Sequence, residues 1–255
     1  MQMKHPVMPP KSFEHQTGFS LVEMAIVLLI VAVLLGGLLP TLSGQIEQRR
    51  VSETSKQLDE IKEALIGYAI VNGRLPCPAS ASSNGTESPA TGGNCTNFYN
   101  GYLPAATLGL AGTDSSGFAV DSWGNRIRYA VTLWSSTSPA VNNVFTTANG
   151  LSLVGISNIS QDLLLVCPTA TGISNTSCAS TTSLTPQGVP AVIYSTGKNN
   201  GTGIDEVANT DGTNKTFVSH TPAPSSAANG SFDDLVVWLS PNTLLNRMVA
   251  AGKLP

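Results

Sequence analysis

Phe19–Leu39 reads FSLVEMAIVLLIVAVLLGGLL, twenty-one residues in which Glu23 is the one charged side chain. At the α-helical rise such a run reaches about 31 Å, close to the roughly 30 Å hydrocarbon core of a bilayer. A carboxylate inside a membrane segment costs on the order of 2.5–3.5 kcal/mol on insertion scales. Glu23 therefore calls for a cationic partner, unless it lies close enough to the helix start to reach the headgroups. Two processing routes compete for the segment. A secretory signal peptide has a shorter apolar region ending at a small-residue cleavage site, for which Thr41-Leu42-Ser43 is passable. An uncleaved signal anchor has the right length but gives no reason for Glu23. Lys4 and Lys11 flank one side of the run and Arg49, Arg50 and Lys56 the other, so charge bias does not set orientation.

The residues around the start of the run are Gly18-Phe19-Ser20-Leu21-Val22-Glu23-Met24, preceded by a polar segment. This stretch resembles the processing site of type IV pilin-like prepilins, a family that includes type IV pilins and the pseudopilins of type II secretion. The resemblance implies cleavage by a prepilin peptidase after Gly18 and methylation of the new amino terminus at Phe19. It also implies that Glu23 pairs with the terminal amine of a neighbouring subunit during assembly. The physics agrees, because a buried carboxylate and a buried ammonium each carry a desolvation cost that falls only when they meet. Such a pair favours one axial register between neighbours.

From Gln45 to Asn72 the residues are helix-compatible, and Leu58, Ile61, Leu65 and Tyr68 fall on one face. Asp59 and Lys62 sit three apart on the exposed side. A stalk helix over 19–72 is expected, apolar all round in its first half and amphipathic in its second. Pro40, with Gly36 and Gly37 before it, predicts a kink or local unwinding. A proline at the corresponding place in type IV pilins marks where the helix melts on entering the filament; a kink without mechanical role is the other reading. Asn72-Gly73 supplies a C-terminal stop.

The domains expected are thus a leader over 1–18, the stalk helix over 19–72 with 19–39 as transmembrane or filament-core segment, and a head over 73–255. Arg74-Leu75-Pro76-Cys77-Pro78 opens the head on an extended path, and Ser80–Thr96 reads as a loop. Asp121-Ser122-Trp123-Gly124-Asn125 reads as a turn into a strand over Arg126–Trp134, and it looks like the head of major pseudopilins. Leu163–Val166, Ala191–Ser195 and Leu235–Leu239 are further strands. Near the end, Ser240 can cap a helix with Pro241 at its first position, Gly252 can close it, and Leu244, Leu245, Met248 and Val249 form its apolar face. The fold class is α+β and pilin-like, a long N-terminal helix with a head built on a largely antiparallel sheet.

Charged residues make up 11% of the 255 residues, with a formal charge of −3. That is well below the roughly 25% of ordinary soluble domains, and nothing in the bulk charge suggests a nucleic-acid partner. Cys77, Cys95, Cys167 and Cys178 read as two disulfides of an exported chain. Four cysteines allow three pairings; Cys77–Cys95 and Cys167–Cys178 are favoured, because each closes a Ser/Thr/Asn/Gly-rich loop. Zinc is disfavoured, since there is no C-x-x-C and His5, His15 and His220 are not spaced as ligands.

No enzymatic constellation stands out. Gly197–Gly203 is glycine-rich but lacks the phosphate-loop spacing and its Lys-Ser/Thr ending, and no G-x-S-x-G elbow occurs. Asp205, Glu206 and Asp211 could hold calcium, as a late loop does in major pseudopilins, but the EF-hand pattern fails and a solvated loop is the simpler reading. Asp233-Asp234 reads as an edge-of-sheet turn. The expected protein is a filament subunit without cofactor. Its partners would be other pilin or pseudopilin subunits, the prepilin peptidase, an inner-membrane assembly platform and the lipid bilayer. It would cross the bacterial inner membrane once, with its head in the periplasm until assembly into a periplasmic or surface filament. The competing class is a membrane-anchored envelope domain, an adhesive or binding module before a hydrolase.

Overall fold

The computed structural model describes residues 18–159, 163–179 and 182–254, the side chains of 35–42 excepted. The first helix, α1, runs over Leu21–Asn72. It contributes to two compact units, divided between Gln48 and Arg49, and each is described by itself.

In the first unit the apolar residues of α1 cover every side of the helix. Leu21 is 90% exposed, and Ile26, Leu29, Ile30 and Val33 are likewise open. A helix apolar all round is suited to burial on every side. Among the described residues no helix is long and apolar enough to cross a membrane; the run expected to do so includes 35–39, whose side chains lie outside the described residues. The break expected at Gly36, Gly37 and Pro40 falls on the same side chains, and the backbone there is assigned helical.

The second unit begins with the amphipathic half of α1. Leu58, Ile61, Leu65, Ile66 and Ala69 are buried and Tyr68 sits at the edge, close to the expected face. Lys62 pairs with Asp59 at 2.7 Å on the solvent side. The helix stops where Gly73 turns into the left-handed region, φ 66°, and donates its N–H to the carbonyl of Ala69.

Beyond it come β1 (Gly101–Tyr102), α2 (Ala105–Leu108), β2 (Arg128–Val131), β3 (Ser136–Thr137), β4 (Ala140–Val141) and α3 (Gly150–Val154). They are followed by β5 (Leu165–Cys167), β6 (Ala191–Ser195), α4 (Ile204–Asn209), β7 (Thr216–Val218), β8 (Leu235–Leu239) and α5 (Pro241–Ala250). Strands β1, β2, β6 and β8 form a four-stranded antiparallel sheet in that order. The fold is therefore α+β, with an N-terminal helix and an antiparallel sheet in the globular region, as expected.

Strand alternation sorts this sheet into two faces. Tyr129, Val131, Ala191, Ile193 and Leu239 join one core with Leu58, Ile61 and Leu65 of α1 and Leu244 and Met248 of α5. Ala130, Val192 and Tyr194 face the other way, against Leu164, Val166 and Phe217. Strand β6 is consequently buried at all five positions. The second layer is a parallel pair, β5 with β7, which the sequence did not suggest.

Four expectations need correction in detail, the first being the strand foreseen over Leu163–Val166, which is paired as β5 over Leu165–Cys167. The strand foreseen over Arg126–Trp134 is paired as β2 only over Arg128–Val131, because the chain turns away to form the small hairpin β3–β4. Ser240 precedes α5 but its side chain makes no capping hydrogen bond. Val249 is exposed, and the apolar face of α5 is carried by Leu244, Leu245 and Met248.

Candidate functional site

The start of α1 is open. Gly18 has nothing within 4 Å of where a Cβ would be, and Phe19 is 80% exposed. Ser20 begins the helix: its carbonyl accepts the N–H of Met24 at 3.1 Å, and its hydroxyl oxygen accepts that of Val22 at 3.3 Å. Glu23 lies in the first turn, where the unsatisfied N–H groups favour a negative charge. Among the described residues it has no ion-pair partner, although Arg49, Lys56 and Lys62 each find one on their own helix. The carboxylate and the apolar surface around it are thus presented outward together.

Residues 15–39 match the family model for the prokaryotic N-terminal methylation motif. This is the hallmark of type IV pilin-like prepilins. No curated protein and no solved structure matches the chain. The prepilin motif covers Gly18, Phe19 and Glu23 and ends at Leu39, short of the head.

In the head, both disulfides favoured from the spacing are present, Cys77–Cys95 and Cys167–Cys178. Inside the first loop lies a constellation that the sequence did not reveal. Glu87 is clasped by both guanidinium nitrogens of Arg74, each at 2.7 Å, and also accepts the N–H of Cys77 at 3.0 Å and the hydroxyl of Tyr68 at 3.0 Å. Burial, then the Glu87 charge, pushes the Tyr68 phenol up to about 12.

The turn at Asp121–Asn125 fastens the sheet. One oxygen of Asp121 accepts the N–H groups of Trp123 and Asn125 at 2.9 and 2.8 Å, and the other accepts the Ser195 hydroxyl. Gly124 adopts φ 89°, which the tight turn requires.

Asp205, Glu206 and Asp211 are not brought together. Asp205 accepts from Ala170 N–H and Asn229 and faces His220 Nε2 at 3.2 Å. Asp211 accepts the N–H and hydroxyl of Thr213 in its own turn. Glu206 accepts four N–H groups, from Asn199 Nδ2, Asp233, Thr202 and Gly203, at 2.7–3.0 Å. The last two contacts secure the N-terminus of α4, with Gly203 as a cap that has no side chain of its own.

Glu206 instead meets Asp233 and Asp234, with one oxygen of each carboxylate lying within 4.8 Å of the others. Asp233 Oδ1 and Asp234 Oδ1 are buried without a hydrogen-bond partner, while Asp234 Oδ2 accepts from Asn209 at 2.7 Å. Burial, reinforced by the Glu206 charge, raises Asp233 to about 6 and Asp234 to about 8. The pair at the start of β8 is therefore an inward-facing acid cluster, and no edge turn.

All four cysteines are oxidised, which leaves no thiol nucleophile.

Proposed function

We propose that this chain is a structural filament subunit, made as a prepilin and assembled through the apolar half of α1 into a type II secretion pseudopilus or a type IV pilus. The observation that carries the reading is the methylation motif at 15–39 coinciding with an exposed, all-round apolar stretch of α1 in which Glu23, its one carboxylate, has no ion-pair partner among the described residues. Cleavage after Gly18 places a methylated amine on Phe19. Glu23 of one subunit meets that amine on the next, and their mutual neutralisation fixes the axial register. Before assembly, residues 19–39 hold the subunit in the inner membrane with its head in the periplasm. A break at Gly36–Pro40 lets the helix lengthen while the Glu23 contact holds.

In this reading the protein has no catalytic role and calls for no cofactor. Its partners are neighbouring subunits, the prepilin peptidase, the inner-membrane assembly platform and lipid. Two disulfides and uncharged loops suit a head exposed outside the reducing cytoplasm.

Intact-mass and N-terminal analysis of the protein from cells tests the reading. A chain beginning at N-methylated Phe19 is expected; one retaining Met1, or beginning at Gly44 after signal peptidase cleavage, removes it. The latter outcomes favour an anchored or released envelope binding domain.

A further inference from the structure

On the sheet face turned away from α1, Arg126 in the extended segment before β2 and Arg128, the first residue of β2, lie two residues apart. Both guanidiniums lie over aromatic rings. Arg126 Cζ is 4.1 Å from the Phe118 centroid, and Arg128 Cζ is 4.4 Å from that of Tyr102. Tyr102 and Phe118 are themselves packed edge to face at 5.2 Å. Rings in these places restrain two otherwise flexible side chains and favour their charged heads.

The charges are compensated unequally. Arg126 Nε donates to Asp114 Oδ2 at 2.7 Å. Asp114 is committed to its own turn, where it accepts the N–H groups of Ser116 and Phe118 and is held below the usual carboxylate range chiefly by the Phe118 N–H. Arg128 has only a neutral partner: its Nη1 donates to Asn100 Oδ1 at 3.0 Å. Among the described residues no carboxylate pairs with it, although it is half-buried. Among the described residues, Arg50, Lys198 and Lys253, also without an ion pair, stand exposed in solvent.

Between the two arginines is a cavity of about 210 Å³, also lined by Tyr102, Asn125, Thr196 and Asn200. One amide acceptor of the lining is spent, since the Thr196 hydroxyl donates to Asn200 Oδ1 at 3.0 Å. Asn125 Nδ2 is turned to the Gly197 carbonyl at 2.6 Å. Two guanidiniums thus line this space, one of them without a carboxylate partner among the described residues, and a guanidinium bonds a charged acceptor more strongly than a neutral one.

We propose that this cavity is a binding site for one small oxyanion group, a phosphate or a carboxylate, held by the forked donors of Arg128 and Arg126. Planar guanidiniums match both anions bidentately, and a lysine in either place would not. The site lies in the head, apart from the apolar helix, and does not depend on the filament reading.

Isothermal titration of the full-length protein in detergent, with inorganic phosphate in one arm and acetate in the other, tests it at low ionic strength, where screening is weak. Saturable uptake of at least one anion is expected. Arg128→Gln should weaken it by about tenfold or more, Arg128→Lys by less, and Arg247→Gln, in a distant exposed pair, not at all. The arm that binds identifies the class of group. If Arg128→Gln fails to fold, shifts of the arginine Nε–Hε resonances in wild-type protein on adding phosphate or acetate report the same contact. The proposal is overturned if neither anion binds saturably, if Arg128→Gln binds as wild type does, or if the arginine resonances stay fixed.

Discussion

Arg74 and Glu87 meet as a two-pronged ion pair whose side chains are only 9% and 5% exposed, thirteen residues apart in the chain. Their contact ties the exit of the stalk helix to the disulfide loop, since Glu87 also accepts from Tyr68 and Cys77. Removing one partner of such a pair strands a buried charge and costs about 3–5 kcal/mol. Arg74→Met should lower unfolding stability by that order in urea titrations. The double variant Arg74→Met/Glu87→Met should recover most of the loss. A double variant no more stable than Arg74→Met would show that the charge pair is not what matters there.

Acidity in the Glu206–Asp233–Asp234 cluster has a definite sign. The unfolded chain releases the Asp234 proton near the ordinary 3.8, whereas the folded chain holds it to about 8. Wherever the folded state keeps a proton that the unfolded state has lost, stability falls as pH rises. The favourable contribution is therefore complete below about pH 4 and is lost progressively up to about pH 8, with Asp233 adding to the slope up to about 6. Asp234→Asn, which can still accept from Asn209, should flatten this decline and make the head more stable than wild type at pH 8–9. Thermal melts across pH 4–9 check it, and parallel profiles would dismiss the cluster as their cause.

Each disulfide closes a short loop, with sequence separations of 18 and 11. In the chain-entropy picture each contributes on the order of 3 kcal/mol, slightly more for the longer loop. Replacing Cys77 and Cys95 by Ala should therefore destabilise the head at least as much as replacing Cys167 and Cys178. Paired urea titrations of the two variants decide the order.

On the proposed reading, Glu23→Ala should still be cleaved after Gly18 yet assemble poorly. Loss of a buried ion pair corresponds to a fall on the order of a hundredfold in assembled subunit. Sheared-filament yield measures assembly and intact mass measures maturation. Wild-type yield from correctly matured Glu23→Ala would sink the register role.

The parts of this molecule that could be read from residues alone are those written locally. The apolar run and its lone acid are a matter of composition and spacing. Strands β6 and β8 have the limits foreseen, because short apolar runs there are bounded by Pro190, Thr196, Asp234 and Ser240. The parallel pairing of β5 with β7 was not legible, since it joins segments separated by β6 and α4. Nor was the acid cluster: Asp205 and Glu206 are neighbours in sequence, but successive residues at the start of α4 point to different sides. One turns to His220 and the other to Asp233. Arg74 and Glu87 sit in irregular chain, where no periodicity announces a partner.

Leu244, Leu245, Met248 and Leu254 belong to the same core as Leu58 and Leu65, and Arg247 reaches Glu63 at 3.4 Å. Translation therefore cannot finish the head piecemeal. The amphipathic half of the first helix emerges early and stays partly uncovered until residues 241–254 have left the ribosome and can pack on it. Any nascent chain halted before residue 244 leaves that apolar flank open to chaperones and proteases.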